Sequence, residues 1–240
     1  MKNRVVSIAL PTLLVACAAQ ADLCLHYEGY GHGDKERMSV NMQLEWDQTS
    51  SSEVWWDLRT YEHLWLDQET GDNYISQCIQ IYAGIDIGET YCWTVGEVSQ
   101  NELRREVMMD LYARNIDTTT GGVYEQGTVE ETNQFASAFQ IMVWEIMHEN
   151  FEATTADDLL SQISIDTGSI QWDATGSAGA LGYFDMIYGN LGDGGWQESD
   201  VDGWFNDSAQ NQANYQVIPA PAAIAALTLG MGGMVRRRRR

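Results

Sequence analysis

Residues 38–46, Met-Ser-Val-Asn-Met-Gln-Leu-Glu-Trp, alternate apolar and polar positions without an error. A period of two marks a half-buried strand, so the clearest strand of the chain is expected here. Residues 22–32 before it are short and mixed, and Gly29, Gly31 and Gly33 read as turns. After a polar turn at 49–53, residues 54–66 carry Trp55, Trp56, Tyr61 and Trp65 and predict a further strand. Residues 74–82 and 90–95 read as a strand pair around the glycines of 84–88. A loop centred on Ile85 and Asp86 sets Cys78 and Cys92 nearly opposite each other, and a slip of one residue parts them.

The period changes after Val98. Ser99-Gln100-Asn101-Glu102 has the form of a capping box, followed by Leu103, Val107 and Leu111 on one stripe. Thr128-Val129-Glu130-Glu131 is a second box and predicts a helix running to about His148. Thr155-Ala156-Asp157-Asp158 starts a third, short helix. A fourth covers 178–191, with Leu181, Phe184, Ile187 and Leu191 inward and Gly192 ending it. Residues 192–207 read as an acidic, Gly-rich loop. Strands followed by helices predict an α+β domain, with an antiparallel β-sandwich or barrel-like N-terminal half and a helical C-terminal half. No internal repeat is present.

Charge narrows the function. The chain has 13 Lys+Arg against 35 Asp+Glu, a net of −22. With Lys2, Arg4 and the five terminal Arg set aside, six bases face 35 acids, a net of −29. Such a body excludes nucleic acid as a partner, because phosphate binding needs a basic surface. The ends read as addresses. Lys2 and Arg4, the apolar run 5–16 and Ala19-Gln20-Ala21 predict a signal peptide over 1–21. Leu14-Val15-Ala16-Cys17 also has the form of a lipobox, so lipoprotein processing at Cys17 stays open. At the other end, Ile218-Pro219-Ala220-Pro221 precedes the apolar run 223–235 and Arg236 to Arg240. That run is shorter than the roughly 20 residues that span a bilayer. The basic residues would hold it at the cytoplasmic face.

The tail over 217–240 resembles the PEP-CTERM sorting signal, with Ile-Pro-Ala-Pro in place of Val-Pro-Glu-Pro. The resemblance implies export, an exosortase-type partner, transient inner-membrane anchoring, cleavage near Pro219 and Pro221, and a cell-surface or extracellular destination.

Gln140 carries the candidate chemistry. It lies in the middle of an apolar stripe formed by Ala136, Phe139, Val143, Trp144 and Met147. A buried amide needs hydrogen-bond partners. Backbone of the sheet would meet that need, and so would a reaction partner. A Cys thiol can attack the carboxamide, expel ammonia and leave an internal thioester that captures an amine. Phe139-Gln140-Ile141-Met142-Val143-Trp144 resembles the helical motif of Cys-Gln thioester domains of bacterial surface proteins. Their Cys motif has two matches. Tyr91-Cys92-Trp93 fits the flanking residues. Cys78-Ile79-Gln80-Ile81, with Gly88-Glu89-Thr90-Tyr91 after it, fits the related domains found with PEP-CTERM tails, although Gln77 departs from the motif. Residues 103–115 fall where those domains place their first helix. The resemblance covers about 74–191 and implies a thioester-type domain over 22–216, with Cys78 and Gln140 as the pair and Cys92 as the alternative Cys. In an oxidising compartment the spare thiols pair. Cys24–Cys92 with Cys78 free fits this reading, while Cys78–Cys92 or Cys24–Cys78 fits a domain with an unreacted Gln140.

Other constellations are less specific. Asp193, Glu198, Asp200, Asp202, Asn206 and Asp207 resemble a calcium loop in composition but miss the EF-hand spacing, so a solvated loop is the preferred reading. His148 is read as a surface residue near a helix C-terminus. Trp55, Trp56, Tyr61 and Trp65 suit packing or sugar stacking. No nucleophile–His–acid set or metal motif is evident, so no enzyme activity, metal or cofactor is expected. The reading is an exported surface protein and covalent adhesin, its partners being surface amines or a polysaccharide matrix. The alternative is a passive structural or glycan-binding module without a thioester.

Overall fold

Residues 23–40, 55–81, 84–149 and 152–215 are described by a computed structural model. The strands are β1 (Leu23–Val40), β2 (Trp55–Leu66), β3 (Asn73–Cys78), β4 (Thr90–Glu97), β5 (Ile170–Trp172), β6 (Asp202–Phe205) and β7 (Gln212–Asn214). The helices are α1 (Glu102–Asn115), α2 (Val129–His148), α3 (Ala156–Leu160) and α4 (Ala178–Asn190). The expectations for 1–21, for the latter half of the 38–46 strand and for 217–240 lie outside the described residues. Cys17, Pro219 and Pro221 fall there too.

The expected glycine turns of 22–32 are absent. β1 is one strand of 18 residues, and its register against β2 shifts between Tyr27 and Gly29 and again between Tyr30 and Gly33. Gly29 and Gly33 have φ of 134° and 140°, so they act as bulges that re-aim a strand without ending it. Gly33 is also sterically required, because a Cβ there would stand 2.3 Å from the Thr60 carbonyl oxygen. The bulges let one strand serve three neighbours. β1 pairs along its length with β2, at its start with β4 and at its end with β5.

All pairings are antiparallel, in the order β2-β3-β7-β6-β4-β1-β5, and β1 also pairs with β2. Six strands therefore return to their starting point, with β5 attached at one end. Register pairs Leu23↔Trp93, Tyr27↔Trp65 and Val95↔Trp204 put these side chains on one face. They form an aromatic cluster with Leu25, in which Trp65–Trp93 and Trp93–Trp204 ring centroids lie 4.7 and 5.9 Å apart. His63 sits beside it, bonded to the Tyr27 hydroxyl at 3.0 Å, and burial pulls its pKa down to about 3.

The chain is α+β, but its C-terminal half is not helical throughout. β5, β6 and β7 follow the helices and go back to the sheet. β6 and β7 insert between β3 and β4, so these two strands are not the expected pair. Cys24 instead faces Cys92 across β1 and β4, and the two form a disulfide. β6 also occupies part of the expected acidic loop.

α2 is the core helix. Fourteen of its 20 residues are buried, because it packs against β1, β2 and β3 as well as α4. The expected single stripe was too narrow. Phe135, Ala138, Ile141, Met142 and Ile146 are buried too, while Met147 is only half-buried. Thr128 caps α2 through the Glu131 N–H at 3.1 Å, and Thr155 caps α3 through the Asp158 N–H. The first helix starts later than expected. Asn101 caps it by accepting from the Arg104 N–H, and Ser99 accepts from the Asn101 N–H. Gly192, with φ 70°, follows the end of α4 as expected.

The Cys24–Cys92 bridge spans 68 residues. Replacing both Cys by Ser is expected to cost roughly 2–4 kcal/mol, read from denaturant midpoints in oxidising buffer. Glu145 is fully buried in α2 with only the Ser164 backbone as a weak partner. Burial first, and the neighbouring Glu149 second, hold its carboxyl well above the usual carboxylate range. The folded chain thus keeps a proton that the unfolded chain releases near about pH 4.3, and stability falls as pH rises above that. Glu145→Gln is expected to be more stable than the parent at pH 7, with a smaller gain at pH 4, by thermal unfolding at both values.

Candidate functional site

Cys78 is the last residue of β3, and the position of that strand end creates the site. The β2–β3 ladder stops at His63↔Ser76. Beyond it the Cys78 peptide has no strand partner on the β2 side. A buried peptide left so would carry a large desolvation cost. Gln140, from the middle of α2, supplies the missing partner. The Cys78 N–H donates to Gln140 Oε1 at 3.1 Å, and Gln140 Nε2 donates to the Cys78 carbonyl at 2.7 Å. The side-chain amide thus imitates the peptide group of an absent strand. Gln140 is 1% exposed and Cys78 2%.

The surroundings come from the same helical stripe. Trp144 lies one turn after Gln140, and its indole approaches the Cys78 sulfur while its N–H meets no oxygen. One turn further, His148 Nε2 donates to the Ile79 carbonyl at 2.9 Å. His148 is therefore buried and not the expected surface residue; its helix-end position suits the dipole, but the strand carbonyl claims it. On the strand side, the Cys78 thiol donates to the Gln80 carbonyl at 2.8 Å, and Tyr112 of α1 donates to Gln77 Oε1 at 2.9 Å. Gln77, the departure from the motif, thus has a packing role, although its Nε2 has no partner. Burial pushes the Cys78 thiol up to about 12, against smaller effects of the Gln80 backbone and the Trp144 indole. The sulfur is a neutral thiol at neutral pH.

The two Cys candidates are thereby separated. Cys92 is bonded to Cys24, so its sulfur is not available to Gln140. Cys78 is the free thiol among the described residues. Tyr112, Gln80 and His148 were not singled out in sequence as site residues. The spacing of Gln140, Trp144 and His148 at successive fours was the available signal for the last.

The acidic loop has a different organisation from a calcium site. Asp110, fully buried, accepts from Gly192 N–H and Gln197 N–H at 2.8 Å and pairs with Arg114 at 2.8 Å. Arg114 in turn donates to the Asp193 and Gly195 carbonyls at 2.9 Å. An internal ion pair shapes this loop. Among the described residues no group of three or more His, Cys, Asp or Glu is placed to hold a metal, and no helix is long and apolar enough to cross a membrane.

Compared with known proteins, the chain matches no protein-family model, no curated protein and no solved structure.

Proposed function

We propose that this is an exported surface protein whose Cys78 and Gln140 close an internal thioester that captures an amine on a neighbouring molecule. The observation that carries the reading is the Gln140 carboxamide held by two hydrogen bonds on the peptide of the one described free thiol. The thioester step forms the Cys78 Sγ–Gln140 Cδ bond and breaks the Cδ–Nε2 bond. The thiol proton leaves on nitrogen as part of ammonia. The Cys78 N–H already points at Oε1, where negative charge develops when the carbonyl is attacked, which is the arrangement of an oxyanion hole. A net-neutral exchange suits a sulfur that burial keeps protonated, and exclusion of water protects the product. In the capture step an amine nitrogen bonds to Cδ, the Cδ–Sγ bond breaks, and the amine proton returns to sulfur.

Export rests on the sequence of the ends. In this reading an exosortase-type machinery cleaves near Pro219 and Pro221 after a transient stay at the inner membrane. The acidic body then faces surface amines or a polysaccharide matrix. A passive structural module is the second reading. It is favoured by the same two hydrogen bonds, since they satisfy the Gln140 amide without any reaction, and by the raised thiol pKa.

Intact mass separates the two. The reading expects a mass one ammonia below that of the disulfide-bonded chain, uptake of one methylamine, and loss of that uptake in Cys78→Ala and Gln140→Ala. Full mass with no uptake would establish the passive module. For the tail, C-terminal peptide mapping of surface protein is expected to find no Arg236 to Arg240. Recovery of the intact poly-Arg end outside the cell would refute sorting and point to Cys17 for any membrane attachment.

A further inference from the structure

A second site lies where β5 joins β1. Ser39 pairs with Trp55 on one side and with Gln171 on the other, so Trp55 and Gln171 share one face with Ser39 between them. An open cleft of ≈ 660 Å³ lies there, lined also by Trp172, Asp166, Asp173 and Thr175. That volume is in the range of small-ligand sites. The two tryptophans differ in what they offer. Trp172 is 3% exposed and its Nε1 donates to Glu36 at 2.9 Å, so it forms a fixed wall. Trp55 is 37% exposed, in the half of β2 where Trp56 is exposed as well, whereas Trp65 further along the strand is buried at 1%, so the Trp55 ring is open to a ligand.

We propose that this cleft binds a neutral hexose-containing glycan, with one sugar ring stacked on Trp55. A pyranose has an apolar C–H face that suits an indole and a rim of hydroxyls that both donate and accept. Gln171 offers an amide with both roles, and Asp166 offers a carboxylate acceptor. Charge decides between ligand classes. The chain carries a net of −22, and the cleft itself contributes carboxylates, so a uronate polymer is repelled. Asp173 is engaged by Arg37 at 3.7 Å and by the Thr175 N–H at 3.1 Å, which leaves Asp166 to accept from a sugar hydroxyl. The site shares no residue with Cys78 and Gln140 and does not depend on the thioester. A non-covalent glycan contact of this kind would hold the protein in a matrix by itself.

A glycan array carrying neutral gluco-, galacto- and manno-oligosaccharides, oligouronates and amino sugars, probed with the purified full chain, tests the proposal. Retention on neutral glycans is expected, weakened about tenfold by Trp55→Ala and largely kept in Trp55→Phe. Cys78→Ala should bind the array as the parent does, which separates this site from amine capture. No retention on any neutral glycan, signal confined to uronates or amino sugars, or equal binding by Trp55→Ala would each overturn it. Should circular dichroism find Trp55→Ala unfolded, Gln171→Ala takes its place, and undiminished binding by that variant overturns the proposal equally.

Discussion

A buried peptide must find hydrogen-bond partners, and at Cys78 the sheet does not provide them. β2 parts from β3 after Ser76, while β7 continues on the other side. The gap is closed by a side chain from α2, which fixes several things together. It sets the height of α2 along β3, because Gln140 must meet one particular residue. It places Trp144 and His148, one and two turns on, against the sulfur and the Ile79 carbonyl. It also brings a carboxamide beside a thiol. The same contact is a structural joint and the geometry from which a thioester would form, and this is why mass, not shape, distinguishes the two readings.

The sheet that offers this gap depends on β1. A strand of 18 residues would normally diverge from its partners through twist. The bulges at Gly29 and Gly33 turn it instead, so that it meets β4 at one end and β5 at the other. The turn lets the strand order come back on itself and enclose Trp65, Trp93 and Trp204. The Cys24–Cys92 bridge ties the β1–β4 seam covalently, on the exposed side of the same pairing.

The acidic composition shapes the interior as well as the surface. Outside the terminal segments six bases serve 35 acids, so most buried carboxyls have no cation to pair with. They draw on neutral donors. Glu62 accepts from the His32 and Val123 N–H groups, and Glu149 from those of Ser169 and Ile170. Glu36 accepts from Trp172 and Ser177. Each of these joins segments far apart in sequence. Burial raises the pKa of Glu36 and Glu62 despite those donors and, at Glu62, despite the smaller lowering effect of His32. Asp110, with Arg114, is the case in which a base is close enough in the chain to serve.

What was legible in the sequence was local. Helix starts at Thr128 and Thr155, the helix over 178–190 and its glycine stop all follow from capping and period, which operate within a few residues. Gln140 stood out because an amide in an apolar stripe demands a partner. What departs from the local pattern is decided at long range. Glycines at 29 and 33 are identical in sequence whether they turn or bulge, and only the neighbouring strands choose. The local pattern sets Cys78 and Cys92 opposite each other, but β6 and β7, more than a hundred residues later, insert between their strands. A lone His at a helix end reads as a surface residue, because nothing near it in sequence announces the Ile79 carbonyl that receives it. Local patterning settles which elements form, since their hydrogen bonds close within a turn or a hairpin. Strand order, disulfide choice and the partner of Gln140 wait on tertiary structure, because each joins groups that only the closed sheet brings within reach.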